Sequence, residues 1–415
     1  MATENKKYIP ALRFPEFQND GEWNYEYGNM LYDSIVNKKH KSDLPILAIT
    51  QDNGAIPRDE INYRVIVNDK SIEGYKIVEI GDFIISLRSF QGGIEYSRYK
   101  GLCSPAYIVL RKKHSKICDD FYRHYFKSFQ YIQALNRNLE GIRDGKMVSY
   151  KQFSDIKLPC PSLAEQKKIA DCLSSLDKYI DATKRKLELL KEHKKGLMQR
   201  LFPAKGKTTP ELRFPEFQND GEWRRCTTNE IFSRITRKNT INNQNVLTIS
   251  AQYGLISQYE YFNKNVAAAD VSNYYLIDKH DFAYNKSRSL GYPYGAIKPL
   301  KMYDQGVVSP LYICFRIKDD VQCSNTFFEY YFESELIHKE IQNMAQEGAR
   351  NHGLLNISTE DFFNKIQLYI PSFVEQKKIA DCLSSLEDII MFYEDEILEL
   401  ELHRKGLMQQ LFPKL

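Results

Sequence analysis

The sequence predicts an α/β (α+β) architecture: two homologous mixed α/β globular domains joined by two long antiparallel coiled-coil helices, built as a pseudo-two-fold internal repeat. Three observations predict it. The string EQKKIADCLSSL fills Glu165–Leu176 and again Glu375–Leu386, while LRFPEFQNDGEW fills Leu12–Trp23 and Leu212–Trp223. Each EQKK string opens a long heptad ladder. Between head and tail strings the side chains diverge, yet the order of strand-like and helix-like runs is kept.

The chain has 415 residues, enough for two or three cores at roughly 100–200 residues per domain. Apolar content of 42% and aromatic content of 13% fit a folded rather than a disordered protein. No apolar run approaches the roughly 18–20 residues that cross a bilayer, and the opening MATENKKYIP has no signal-peptide core. The expectation is therefore a cytoplasmic protein without a membrane partner. The eight cysteines form no C-x-x-C pair and no zinc-spaced cluster, so they read as reduced, packed residues. A net charge of +4 is too small by itself to indicate nucleic acid.

The repeat divides the chain into a first globule at 1–160, a central helix at 161–203, a second globule at 204–369 and a C-terminal helix at 370–415. In the globules, LPILAIT and NVLTIS read as strands followed by turns at Gly54 and Gly254. GDFIIS and HDFAYN come next, then SPAYIVLR and SPLYICFR, then the aromatic helical patches DDFYRHYFKS and NTFFEYYFES. The aromatic residues Tyr122, Tyr125, Phe126, Phe327, Phe328 and Tyr331 read as core rather than as platforms for bases.

In the first tail Ile169, Leu173, Leu176, Ile180, Leu187, Leu190 and Leu197 fall on one seam; in the second, Ile379, Leu383, Leu386, Ile390, Ile397, Leu400 and Leu407 do. Such a/d periodicity predicts coiled-coil packing. Pro203 and Pro413 stop the helices, and Ser162 and Ser372 are cap candidates. Residues 163–201 would span roughly 58 Å at 1.5 Å per residue. The first helix is basic, +5 over 167–200, and the second acidic, −4 over 377–410, so they suit one another. Charge does not settle the orientation, since the acidic EDEILELE would face basic KRKLELLKEHKK better in a parallel pair; the two-fold packing usual for equivalent units favours an antiparallel one, which is the expectation. Thr183, Tyr393, Lys194 and Arg404 interrupt the seams; they are candidates for fixing register or for docking a partner.

The P-S-x-x-EQKKIA tails, their recurrence 210 residues apart, the paired RFPEF…GEW openings and the EGIRDG and EGARNHG stretches resemble the specificity (S) subunit of type I restriction–modification enzymes. The resemblance spans essentially the whole chain. It implies that each globule is a target recognition domain reading one half of a bipartite sequence in double-stranded DNA. It implies that the helices are a spacer holding two methyltransferase subunits, with restriction translocase subunits added outside. S-adenosylmethionine, ATP and Mg would then sit on partner subunits, leaving this chain without a cofactor. Physically, two readers on a stiff rod meet two half-sites at a fixed spacing.

Base readers are expected where the globules differ. SLRSFQGG (86–93) and NKSRSLGYPYG (285–295) offer Arg88, Gln91, Lys286 and Arg288, chemically suited to base edges or phosphates; the alternative is a solvated loop. Basic NKKHK and RITRKN offer Lys38, Lys39, Lys41, Arg237 and Lys238 for phosphate contact, or as ordinary surface charge. Arg143 and Arg350 share an EG-x-R position, which suits phosphate anchors or ion pairs with Glu140 and Glu347. Gln51, Asp52 and Asn53, against Ala251, Gln252 and Tyr253, are alternative readers. No catalytic constellation is expected: an Asn/Asp-Pro-Pro-aromatic motif, a phosphate loop and a His-Glu-x-x-His metal motif are all missing. The competing reading is a coiled-coil scaffold that joins proteins without reading DNA.

Overall fold

In each repeat the head string wraps around one arginine. Pro15 and Pro215 open 3-10 turns, Pro15–Phe17 and Pro215–Phe217, where the fixed φ of proline suits a first helical position. The closing Trp23 and Trp223 are buried. The structure, a computed structural model, describes residues 8–41, 43–61, 72–137, 148–204, 206–250, 253–264, 270–289, 291–334, 336–344, 346–347 and 355–413. Contacts divide the chain into two units, Met1–Arg185 with Glu394–Leu415, and Lys186–Tyr393.

The first unit carries β1 (Asn24–Tyr27), β2 (Tyr32–Ile35), β3 (Leu47–Thr50), β4 (Gly54–Pro57), β5 (Lys76–Val78), β6 (Phe83–Ile85), β7 (Glu95–Tyr96), β8 (Gly101–Cys103), β9 (Ile108–Lys112) and β10 (Lys157–Cys160). Its helices used below are α1 (Ser89–Gly92), α2 (Asp119–Tyr125) and the start of α3 (Leu163–Leu201). The second unit repeats the plan with β11 (Arg224–Thr227), β12 (Phe232–Ile235), β13 (Leu247–Ser250), β14 (Gly254–Ser257), β15 (Tyr275–Asp278), β16 (Phe282–Asn285), β17 (Ala296–Pro299), β18 (Gln305–Val308), β19 (Ile313–Ile317), β20 (Gln346–Glu347), β21 (Leu355–Asn356) and β22 (Gln367–Ile370). With them come α4 (Gln258–Phe262), α5 (Asn325–Glu333) and α6 (Phe373–Leu411).

Each unit holds one four-stranded antiparallel sheet, β2-β9-β6-β7 and β12-β19-β16-β17, flanked by two-stranded pairs. β1 pairs with β10, and β11 with β22, so the residues after each head string are laddered to those before each long helix. The aromatic patches are core, as expected: Tyr122, Tyr125, Phe126, Phe327, Phe328 and Tyr331 are all buried. Tyr32, at the centre of the first unit, meets Phe83 and Tyr122 edge-on, each at 5.6 Å between ring centroids.

The long helices carry the repeat from one unit into the other. In the first unit α3 starts against the aromatic core through Ile169, Ala170 and Leu173, and the last turn of α6 fills the same core with Met408 and Leu411, followed by Phe412 just beyond the helix. In the second unit Ile379, Ala380 and Leu383 of α6 share a core with Leu201 and Phe202. Ion pairs give the direction. Asp177 pairs with Arg404, and Lys184 with Glu401 at 2.5 Å, in the first unit. Lys186 meets the Tyr393 hydroxyl, and Lys194 pairs with Glu387, in the second. As one number rises the other falls, so the helices are antiparallel within each unit.

The seam residues divide by position. Ile180, Leu187 and Ile390 are buried, while Leu176, Leu190, Leu386, Ile397 and Leu400 are half-buried. Ile169, Leu173, Ile379 and Leu383, assigned by spacing to the helix pair, lie in globular cores, and Leu197 and Leu407 pack against those cores. Each helix begins and ends inside a unit, so its terminal heptads share an aromatic core with residues of the other helix. All eight cysteines are free. Among the described residues no helix is long and apolar enough to cross a membrane.

Candidate nucleic-acid interface

The repeated strings build a joint. The guanidinium of Arg13 donates to both carboxylate oxygens of Glu165, at 2.7 and 2.8 Å, and its other arm donates to the carbonyls of Asp20 and Gly21. Arg213 does the same with Glu375, at 2.8 and 2.7 Å, and with Asp220 and Gly221. Both glutamates are 1% exposed, so each charge is matched inside the protein. Gln166 and Gln376, next in the EQKK string, accept from the backbone N–H of Cys118 and Ser324. The second lysine of each string pairs with the glutamate of PEF: Lys168 with Glu16 at 2.9 Å, Lys378 with Glu216 at 3.1 Å. Spacing in the sequence did not reveal this joint; the co-occurrence of both strings in both copies was its only trace.

The divergent loops take another place. After β6 the chain turns at Ser86, whose backbone N–H donates to Ser89 Oγ at 2.9 Å, and the short α1 follows. Ser86 and Ser89 are buried, leaving Arg88 and Gln91 exposed. Gly93 closes the loop at φ +85°, with the Phe126 carbonyl where a Cβ would stand, so only glycine fits. The β3–β4 turn sits alongside. Gln51, Asp52 and Asn53 are exposed there, and Gln51 Nε2 reaches the Arg88 carbonyl at 3.4 Å. The structure thus brings together two groups that the sequence listed as separate alternatives. Lys38, Lys39 and Lys41 are exposed, on a segment tied to β5 by the Ile77 N–H donating to Asn37 O at 2.7 Å. Burial, with the nearby charges of Cys103 and Lys38 acting in opposite senses, holds the neighbouring Lys76 below the usual lysine range.

In the second unit several candidate cations are already engaged. Arg237 pairs with Asp278 at 2.6 Å. Burial alone would raise the Asp278 carboxyl, but hydrogen bonds from Arg237, Gln305 and Arg316 hold it below the usual range. Lys238 donates to the Asn273 carbonyl at 2.7 Å and lies 4.5 Å from the centre of the Tyr275 ring. Lys286 is half-buried, donates to the Ile357 carbonyl at 3.3 Å, and is pulled down by burial. Arg288 is exposed on the same loop. Sequence reasoning singled out only Tyr253 from an exposed aromatic group that also holds Tyr259, Tyr261 and Phe262, on the β13–β14 turn and α4. The aromatic-rich string QYEYF was its available signal. Arg143, Arg350, Glu140, Ala251 and Gln252 lie outside the described residues, as does the side chain of Glu347.

A family model described as the type I restriction modification DNA specificity domain matches residues 17–192. Over 408 residues the chain is 24% identical to a candidate type I restriction enzyme MjaX specificity subunit of Methanocaldococcus jannaschii, covering 90% of this chain and 87% of that protein. A match of 32% over 126 residues links it to the type I restriction enzyme MjaVIII specificity subunit of the same organism, over 30% of this chain and 29% of that one. Among solved structures, a type I restriction–modification system S subunit from M. genitalium aligns with 98% of this chain and 100% of its own, at a TM-score of 0.55 and 15% identity, which is a likeness of fold. With the duplicated frame and the paired divergent loops, these matches lead to one conclusion: the chain is similar along most of its length to the specificity subunits of type I restriction–modification systems, and its residues 17–192 match their DNA specificity domain.

Proposed function

We propose that this chain is the sequence-specific DNA-recognition subunit of a type I restriction–modification complex, each globular unit reading one half of a bipartite target. The observation that carries the reading is the split between constancy and variation. The Arg13–Glu165 and Arg213–Glu375 joints are the same in both units, whereas the first exposes Gln51, Arg88 and Gln91 and the second exposes Tyr253 and Arg288. A frame that is repeated around surfaces that differ suits two unlike half-sites on one duplex. The paired helices set the unread gap and dock two methyltransferase subunits, with restriction translocase subunits joining the full assembly. Catalysis belongs to those partners, which would hold S-adenosylmethionine, ATP and Mg, and this chain binds DNA without a cofactor of its own.

Selection from random-sequence duplexes, using the full chain assembled with its methyltransferase subunits, tests the reading. Enrichment of two short motifs at one fixed spacing is expected. Flat recovery from every pool would leave a protein scaffold instead. Methyl transfer to DNA by the isolated chain would overturn the assignment of catalysis to partners.

A further inference from the structure

Beneath the divergent loops of each unit lies one ion pair at one equivalent place, with its signs reversed between units. In the first unit Glu95, on β7, is 2% exposed and accepts from Lys127 Nζ at 2.5 Å. In the second unit Lys298, on β17, is 12% exposed and pairs with Glu333 at the end of α5. Strand register makes the positions equivalent. Phe83 opposes Tyr96 and Ile84 opposes Glu95, as Phe282 opposes Pro299 and Ala283 opposes Lys298. The helical strings agree, since YFKS ends at Ser128 where YFES ends at Ser334.

In each unit the helix-side member of the pair also holds a divergent loop. Lys127 Nζ donates to the Gln51 carbonyl at 3.1 Å, in the β3–β4 turn. Glu333 Oε2 accepts from the Tyr292 hydroxyl at 3.3 Å, in the 285–295 loop. The sign of the helix-side group is compatible with what each loop offers it: an ammonium donates to the Gln51 carbonyl, and a carboxylate accepts from the Tyr292 hydroxyl. The first loop is also set closely, because a Cβ on Gly92 would come within 2.7 Å of the Gln51 side chain. Lys298 lies 5.4 Å from the centre of the Tyr292 ring, which adds a second hold on the other loop.

We propose that these reversed pairs are positioning devices for recognition: Lys127 and Glu333 fix the backbone turn or side chain that carries the base readers, and so set letters in the half-site without touching DNA. This rests on the DNA-reading function proposed above. The reversal also makes the second core refuse the first unit's turn, since moving that turn alone would set a carboxylate against the carbonyl that Lys127 now holds. Burial pushes the Glu95 carboxyl up to about 7 against the pull of Lys127, with Asp52 adding to the rise. Lys127 and Asp52 are the charged groups that act on it, so the first clamp weakens as pH falls through that value.

The test uses the full chain with its methyltransferase subunits and random-duplex selection at pH 8. Glu95→Gln and Lys127→Met are each expected to collapse letter preferences of roughly 5- to 100-fold, the size a good base contact gives, to below about twofold at positions of one half-site. The other half-site is expected to be unchanged. The double reversal E95K/K127E keeps an ion pair but puts a carboxylate where the Gln51 carbonyl needs a donor. It is expected to melt like the parent while staying relaxed in its letters. Wild type at pH 6 should show part of the same relaxation. Full recovery of letters by the double reversal would overturn the proposal by making the pair structural. Uniform loss of affinity in Lys127→Met, with Glu95→Gln unaffected, would overturn it by making Lys127 a phosphate contact. If the wild-type complex selects no motif, the DNA-reading function itself fails and this proposal falls with it.

Discussion

At the scale of single residues, the buried charges are the most exposed to test. Arg13→Met leaves Glu165 in the interior without its counter-charge, and removing one member of such a pair costs about 3–5 kcal/mol. The expected result is a lowered urea midpoint, with Arg213→Met behaving alike through Glu375. Lys39→Met, on an exposed side chain, should stay within about 0.5 kcal/mol of the parent. His124 supplies a pH dependence. It is 1% exposed, its Nε2 lies 3.1 Å from Ser174 Oγ, and burial, reinforced by Arg123, brings its pKa down to about 3. Below about pH 6.5 the unfolded chain takes up a proton that the folded chain refuses, so stability falls as pH drops toward 3, by at most about 1.4 kcal/mol per unit. In the second unit Tyr330 stands in the equivalent place, its hydroxyl 3.2 Å from Ser384 Oγ. His124→Tyr should therefore flatten the acid limb of a urea-midpoint profile between pH 7 and 4. An unchanged slope would assign the loss to other groups.

At the scale of elements, the long helices were the most legible feature and the loops the least. Heptads gave α3 its Leu163–Leu201 span, and the matched runs gave the two inner strands of each four-stranded sheet, β6 with β9 and β16 with β19, but not the outer ones. The polar interruptions at Lys194 and Arg404 now have partners, Glu387 and Asp177, which key the register in each unit. What escaped was contact between segments far apart in sequence. Glu95 and Lys127 are 32 residues apart and meet only through strand register, and Asp278, the partner of Arg237, is 41 residues away. The helical turn at Ser89–Gly92 escaped too, because four residues ending in glycine carry no periodicity. An antiparallel pair also sharpens the spacer prediction. A heptad inserted into both α3 and α6 keeps every pairing and should widen the unread gap while leaving the half-site letters alone. The same insertion into α3 alone shifts one key by seven residues and should abolish selection. Altered letters after the double insertion would contradict the separation of spacer from reader.

At the scale of the whole molecule, charge decides which helices pair. Lys184 meets Glu401, and the counterpart of Glu401 on the other helix is Lys191. Two copies of the first helix would therefore set lysine against lysine, and two copies of the second would set Glu394 against Glu401. Fragments 1–203 and 204–415 made together should co-purify one to one at about 0.05 M salt, where screening is weak, and neither should self-associate at that salt by light scattering. Stable like-with-like dimers would show that the seam outweighs the charges. The ends of the long helices carry a further consequence. Phe412 is a core residue of the unit that opens the chain, and Phe202 of the unit that follows. The end of each long helix is thus part of the core of the unit where it finishes, so heat or mutation that loosens that core frees the helix end with it.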